Sequence, residues 1–278
     1  MEPLTPADTR ELFAPLHAEL IGLLRGLDDA GWERPTVAGA WRVRHVAAHL
    51  LDGDLRKLSA GRDGHQMPPD GPLSSFADVV GLIDRLNASG VDFARRLSPR
   101  IITDLLEVTG RWVSEHVAAL PLHGDALYPV AWAGEERSES WMDTGREYTE
   151  RWHHQMQIRD AVGAPGLLQG RWLHPLLDLS VRAFRRTYQD VAADPGTTVV
   201  FEVDAEGENT WSVVREAAGW DVLRGAPADP AARVRMDADT AWRLLYNALP
   251  PDEARARVTI TGDPALAEPM LRARSVMV

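Results

Sequence analysis

The hydrophobic periodicity of this sequence changes once, at the Gly-Ala-Pro-Gly stretch of residues 163–166. Before it, apolar residues recur every three to four positions in several long segments, which is typical of amphipathic helices. After it, segments such as TTVVFEV and TWSVVRE alternate and are separated by turn residues, which is typical of antiparallel hairpins. We therefore predict an α+β protein in which residues 1–165 form a helical bundle and residues 166–278 form a smaller antiparallel-sheet α+β domain.

The periodicity, caps and breakers also predict the individual elements. The first part should hold helices at about 5–25, 41–58, 76–97, 99–119 and 140–162, with a loop at 61–75 and a short extended segment at 128–136. The second part should hold one helix at about 171–191, strands at 197–203, 210–216, 220–225, 232–236 and 256–261, and further helices at 240–249 and 264–272.

Charge and cysteine content exclude several classes of function. The formal net charge of −11 argues against nucleic acid or an anionic membrane surface as the main partner, because either would require clustered Lys and Arg. No apolar run approaches the roughly 20 residues needed to span a bilayer, and the first residues are too polar for a signal peptide, so we expect a cytoplasmic protein. The sequence contains no cysteine, so any thiol chemistry must use an exogenous thiol.

One segment, TERWHHQMQIRDAVG, contains a glutamate and two adjacent histidines within a predicted helix. Glu150 and His154 are four residues apart, so they lie on one helix face, about 6 Å apart along the axis. Together with a histidine from a second helix they would form a two-histidine, one-carboxylate set, which holds a catalytic divalent metal and leaves coordination positions open. The same spacing also occurs in ordinary surface pairs, so spacing alone leaves both interpretations open.

The order of three segments supplies a family resemblance. WRVRHVAAHL resembles the tryptophan-led helix of the DinB-like superfamily, and the Glu-x-x-x-His segment resembles the mycothiol-dependent maleylpyruvate isomerase branch of that superfamily. TITGDPAL and the final helix resemble the sterol-carrier-like C-terminal domain of the same branch. The resemblance implies a DinB-like four-helix bundle over residues 1–165, a sterol-carrier-like domain over 166–278, and a divalent metal, zinc in the first place, on His49, Glu150 and His154.

The same resemblance implies an activity. Mycothiol, or a related low-molecular-weight thiol, would attack a small electrophilic substrate, giving either isomerisation or thiol S-transfer by a monomer or homodimer. A metal-dependent hydrolase using metal-bound water and a non-enzymatic small-ligand-binding protein remain alternatives. Two positions depart from the family pattern: His45 stands where relatives often have an acidic residue, and LLYNALPP, at 244–251, stands where the isomerases tend to carry Gly-Arg. We expect His45 to be an outer partner of the site or exposed, and the substrate stays open.

Overall fold

The structure, a computed structural model, describes residues 1–69 and 71–276 and confirms the predicted α+β class. The chain divides into two compact units. The helical unit comprises Asp8–Leu127 and Glu150–Gly166, and the sheet unit comprises Met1–Ala7, Tyr128–Thr149 and the chain from Leu167 onward. The sequence-based domain division at residues 165 and 166 stays a prediction.

Among the described residues, six α-helices build or enter the helical unit, and the last four of its five long helices lie close to the predicted ranges. They are α1 Phe13–Arg25, α2 Asp29–Trp32, α3 Val43–Lys57, α4 Phe76–Ala94, α5 Pro99–Ala119 and α6 Ser140–Val162, of which α6 contributes its residues from Glu150 onward. Among the described residues, no helix of the chain is both long enough and apolar enough to cross a membrane.

Local signals explain where these helices begin. Ser98 caps α5 by accepting a hydrogen bond from the Ile101 amide (3.3 Å), and Pro99 occupies the first helical position. The first helix starts later than predicted, after a 3₁₀ turn at Arg10–Leu12. The reason is that the Asp8 carboxylate binds the backbone amide and guanidinium of Arg10.

The core of the helical unit is formed by apolar side chains from α1, α3, α5 and α6, joined by Trp32 of α2. It contains Leu20, Ile21, Leu24, Trp32, Val43, Val46, Ala47, Leu50, Leu51, Ile102, Leu106 and Ile158. Helix α5 packs against both α1 and α3, and α4 packs against α3. A close approach of α1 to α5 depends on Gly110, because a Cβ atom there would lie 2.1 Å from Cε1 of the His17 ring.

The sheet unit consists of a six-stranded sheet with helices. In chain order its elements are β1 Glu2–Pro3, α7 Gly170–Ser180, α8 Ala183–Tyr188, β2 Thr198–Asp204, β3 Thr210–Glu216, β4 Gly219–Arg224, β5 Ala232–Asp237, α9 Ala238–Leu245, α10 Pro251–Arg257, β6 Thr259–Gly262 and α11 Pro264–Ala267. The strand order is β1-β4-β3-β2-β5-β6. The sheet is mixed rather than purely antiparallel, because β5 pairs with β2 in parallel (Phe201 opposite Val234) while every other pair is antiparallel.

Three local predictions in the sheet unit need correction. The helix predicted at 171–191 is broken into α7 and α8, and the break follows Ser180, whose hydroxyl donates to the Leu176 carbonyl (2.7 Å), a back-bond that disturbs a helix. The segment around Trp132 is a 3₁₀ turn rather than extended. The start of the strand predicted at 256–261 belongs to α10, which Pro251 and two acidic residues in its first turn favour.

Candidate metal centre

The structure brings the three predicted ligands together inside the helical unit. His49 lies on α3, and Glu150 and His154 lie on α6. One ligand atom from each side chain lies within 4.8 Å of the other two. The Nε2 atom of His154 is 3.4 Å from the Glu150 carboxylate. The rings of His49 and His154 are arranged edge to face, with their centroids 4.5 Å apart. A single cation could therefore contact all three side chains, and whether one does so stays a prediction.

Two helices, α3 and α6, position these side chains, and a different feature of the sequence explains the position on each helix. On α3, Val43, Val46 and Leu50 are buried in the core. His49 lies on the same side of the helix and is also buried. On α6, the four-residue spacing places Glu150 and His154 one turn apart on one face. The cluster thus depends on the packing of α3 near α6, which neither segment specifies by itself.

His45, the other histidine on α3, has a different role. Its Nδ1 accepts a hydrogen bond from the backbone amide of Arg42 (3.2 Å), in a capping box at the start of α3. This contact satisfies one of the amides that a helix leaves unpaired at its first turn. His45 is therefore a helix cap and does not belong to the cluster.

Gln157 orients the His154 ring and was not predicted from the sequence. Its side-chain oxygen lies 2.8 Å from Nδ1 of His154, and both residues are buried. An oxygen at this position accepts a hydrogen bond from a protonated Nδ1, which is the tautomer that leaves Nε2 available to a cation. The feature of the sequence that could have indicated this contact is that Gln157, a polar residue, lies three positions after His154 on the same helix.

The electrostatics favour the protonation states that a metal ligand needs. Burial by itself raises the pKa of Glu150, but the charge of His153 and the hydrogen bond and charge of His154 outweigh it, so the pKa lies well below its usual range. Burial and the charge of His154 lower the pKa of His49 well below its usual value. Near neutral pH, Glu150 is therefore a carboxylate and His49 a neutral imidazole.

Aromatic rings surround the cluster. The Trp41 ring lies 5.1 Å from the His49 ring and 6.4 Å from the His154 ring, and the His153 ring lies 4.0 Å from that of His154. Trp152, the other tryptophan near the site in sequence, is fully buried. The Trp41 ring therefore gives the cluster an apolar wall on part of its surface, and the His153 ring packs beside it.

Arg159, which could in principle clamp a substrate carboxylate, is engaged elsewhere. Its guanidinium donates to the Pro165 carbonyl and to the Glu19 carboxylate, each at 2.8 Å. The side chain is also almost fully buried. Arg159 therefore fastens the end of α6 to α1 and does not point into the cluster.

The fold and the cluster define an α+β protein with a candidate two-histidine, one-carboxylate centre in its helical unit. The sequence matches the family described as mycothiol maleylpyruvate isomerase N-terminal domain over residues 13–159, and the chain belongs to this family. The matched segment contains all three candidate ligands. Membership places the chain among enzymes of the isomerase type, and it confirms the resemblance of the N-terminal segments to the mycothiol-dependent maleylpyruvate isomerase branch.

Solved structures agree at the level of the fold. Two crystal structures, of the mycothiol-dependent maleylpyruvate isomerase and of a histidine-to-alanine mutant of it, each superpose with a TM-score of 0.56 at 14% and 13% identity. In both cases the match covers 94% of this chain and 96% of the other. The shared fold thus extends beyond the segment matched by the family. No curated protein sequence gives a significant match.

Proposed function

We propose that this chain is a metal-dependent isomerase that uses an exogenous thiol, with zinc as the metal and mycothiol as the thiol. The observation that carries the proposal is the convergence of His49, Glu150 and His154 in a member of this family. The alternative of an accidental surface pair is disfavoured, because both histidines are buried and one of them, His49, comes from a different helix than the Glu150–His154 pair.

The donor set suits a borderline divalent ion such as zinc. Two imidazoles and a carboxylate are common ligands of catalytic zinc, and three protein ligands leave a position for an exogenous group. His49 and His154 are each less than a tenth exposed. Nδ1 of His49 is buried and has no hydrogen-bond partner among the described residues, so the cluster contains a ring nitrogen that is not already used in a hydrogen bond. A bound zinc would supply charge that favours the thiolate form of a thiol near neutral pH.

The remaining roles belong to residues of the chain. Glu150 provides a negative charge that offsets the charge of the ion, and Gln157 holds the His154 ring with Nε2 toward the cluster. Trp41 covers part of the cluster and would limit the access of water to it. The absence of cysteine means that the attacking sulfur must come from outside the protein.

For the substrate we propose a small cis-unsaturated acid or a similar electrophile, of which maleylpyruvate is the first to test. Addition of the thiolate to one alkene carbon allows rotation about the former double bond, and expulsion of the thiol then gives the trans isomer. The segment at 244–251 does not carry the Gly-Arg pair of the isomerases. In its place Asn247 adopts a left-handed conformation and accepts a hydrogen bond from Arg274 (3.2 Å), which is the reason to test analogues as well.

The test is an isomerisation assay followed by proton NMR. Zinc-loaded protein is incubated with maleylpyruvate and a set of cis-unsaturated acids, with mycothiol, with glutathione or with no thiol, beside a His154→Ala control. We expect trans product only with a thiol, more with mycothiol than with glutathione, and none with His154→Ala. Hydrolysis products formed without any thiol would favour the hydrolase instead, and no turnover under any condition would contradict the proposal.

A further inference from the structure

Helix α5 has two apolar faces, and only one of them is covered. The covered face contributes Ile102, Thr103, Leu106, Thr109, Gly110, Val113 and Val117 to the interior. On another face, Ile101, Leu105, Val108 and Trp112 are between 36% and 45% exposed. We call these four residues the α5 seam. Single exposed apolar side chains are ordinary, but four large ones aligned on one helix form a patch that indicates an interaction site.

The spacing of the α5 seam is that of a coiled-coil contact. The four residues follow one another at intervals of 4, 3 and 4, which places them at alternating a and d positions of a heptad. A seam of this kind fits a second helix lying nearly parallel or antiparallel to it. The occupant should therefore be a helix with a matching pattern, and α5 of a second copy has that pattern by identity.

We propose that two copies of this chain pair through the α5 seam in an antiparallel arrangement, around a two-fold axis between Leu105 and Val108. Under this axis each residue i faces a residue near 213 − i of the second copy. Leu105 then faces Val108, and Ile101 faces Trp112, so that a larger side chain meets a smaller one in each layer. The interface is isologous, with the same patch used by both copies.

The charges beside the seam select the antiparallel direction. Asp104 and Arg111 each precede an a position, at Leu105 and Trp112, and both are exposed. In the antiparallel pair Asp104 of each copy faces Arg111 of the other, which gives two opposite-charge contacts. In a parallel pair each g position faces an e position of the other helix, which is Thr109 for Asp104 and His116 for Arg111, so both opposite-charge contacts are lost.

Two other charged side chains of α5, Glu107 and Arg100, do not oppose this arrangement. Glu107 lies farther from the seam and is paired with Arg25 at 2.5 Å. Arg100 lies 3.7 Å from Asp104 in an exposed pair, which is weak and can rearrange. One helix pair covers less than the roughly 800 Å² per partner of a standard stable interface. We therefore expect a reversible dimer whose population rises with protein concentration.

Sedimentation velocity over a range of concentrations tests the proposal. The wild type should shift from monomer to dimer as concentration rises, and Leu105→Ser should reduce the shift. Asp104→Arg alone should also reduce it, and the double variant Asp104→Arg/Arg111→Asp should restore it. Leu55→Ser is the matched control, because Leu55 is 45% exposed, against 41% for Leu105, but lies on α3, outside the seam.

The charge variants keep the test decisive if Leu105→Ser fails to fold, because both charged side chains are on the surface. Circular dichroism of each variant checks folding. A wild type that stays monomeric at every concentration overturns the proposal. A dimer that the double variant does not restore overturns the antiparallel arrangement, and a dimer lost equally in Leu55→Ser moves the interface away from α5. None of these outcomes depends on the metal or on the thiol.

Discussion

Gln157 shows how a single residue can set the chemistry of the cluster. Its side-chain oxygen lies 2.8 Å from Nδ1 of His154 and favours the tautomer that carries a proton on Nδ1. We predict that Gln157→Leu lowers zinc affinity by about 10- to 100-fold, because outer partners of metal-binding histidines have effects of this size. The measurement is the zinc dissociation constant, obtained by competition with a chromophoric chelator.

Gln157→Glu serves as the control, since a carboxylate keeps an acceptor for Nδ1. It should retain affinity close to that of the wild type or raise it. Equal affinities for the wild type and Gln157→Leu would show that the hydrogen bond does not matter for metal binding.

Buried histidines make stability depend on pH. The pKa of His17 is lowered by burial, and the Arg151 charge lowers it further, while Asp54 and the Glu107 carbonyl partly oppose this. The pKa values of His45, His49 and His116 are lowered as well, with burial as the largest cause for each. Below the usual histidine pKa of about 6.5, the unfolded chain binds protons that the folded chain does not. Stability should therefore fall as the pH drops through this range.

We predict that the free energy of unfolding of the metal-free protein is lower at pH 5.5 than at pH 7.5. His17→Gln should reduce this dependence, because Gln does not titrate. Urea unfolding at both pH values provides the comparison. Identical pH dependence in the wild type and His17→Gln would remove His17 from the explanation.

Local spacing made part of the site predictable. Glu150 and His154 could be paired because helix geometry alone places residues four apart on one face. His49 came from the family resemblance, since no local rule relates α3 to α6. Gln157 and Trp41 were not assigned roles, because a hydrogen bond to a buried ring and a ring contact between segments depend on packing.

At the scale of elements, a buried ion pair joins α3 to α6 close to the cluster. Asp54 of α3 is fully buried, lies 2.7 Å from Nη2 of Arg151 on α6, and accepts a hydrogen bond from Thr109 of α5 at 2.6 Å. Removing one member of a buried pair leaves an uncompensated charge, which costs about 3–5 kcal/mol. We predict a loss of this size for Asp54→Ala in urea unfolding.

Asp92→Ala is the control, because Asp92 and Arg95 form an exposed pair on α4, with both side chains more than two-thirds accessible. Such pairs contribute little to stability. Similar losses for Asp54→Ala and Asp92→Ala would mean that the buried pair does not fasten α3 to α6.

Elements with strong local signals were the ones predicted well. Both α5 and α6 have the predicted bounds, because Ser98 and Pro99 mark the start of α5 and Gly163, in a left-handed conformation, follows the end of α6. The break between α7 and α8 depends on the Ser180 hydroxyl, which also bonds the distant Tyr246 (2.6 Å). The parallel pairing of β5 with β2 is likewise a long-range choice that alternation does not encode.

At the scale of the whole molecule, the change of hydrophobic periodicity at residues 163–166 predicted that helices precede this segment and that a sheet follows it. The two compact units do not follow chain order, however, since the sheet unit also takes residues 1–7 and 128–149. Pairing of β1 with β4 brings the N-terminal residues into the sheet. A two-residue strand has no periodicity of its own, so the sequence could not reveal it.

The most direct test of the account is the metal content of the purified protein. Elemental analysis should be made on protein prepared without a histidine tag, for the wild type, His49→Ala, Glu150→Gln, His154→Ala and His45→Ala. We predict one divalent ion per chain in the wild type and in His45→Ala, and a marked loss in the three others. Full occupancy in His154→Ala, or a loss in His45→Ala but not in His49→Ala, would contradict the assignment of the centre.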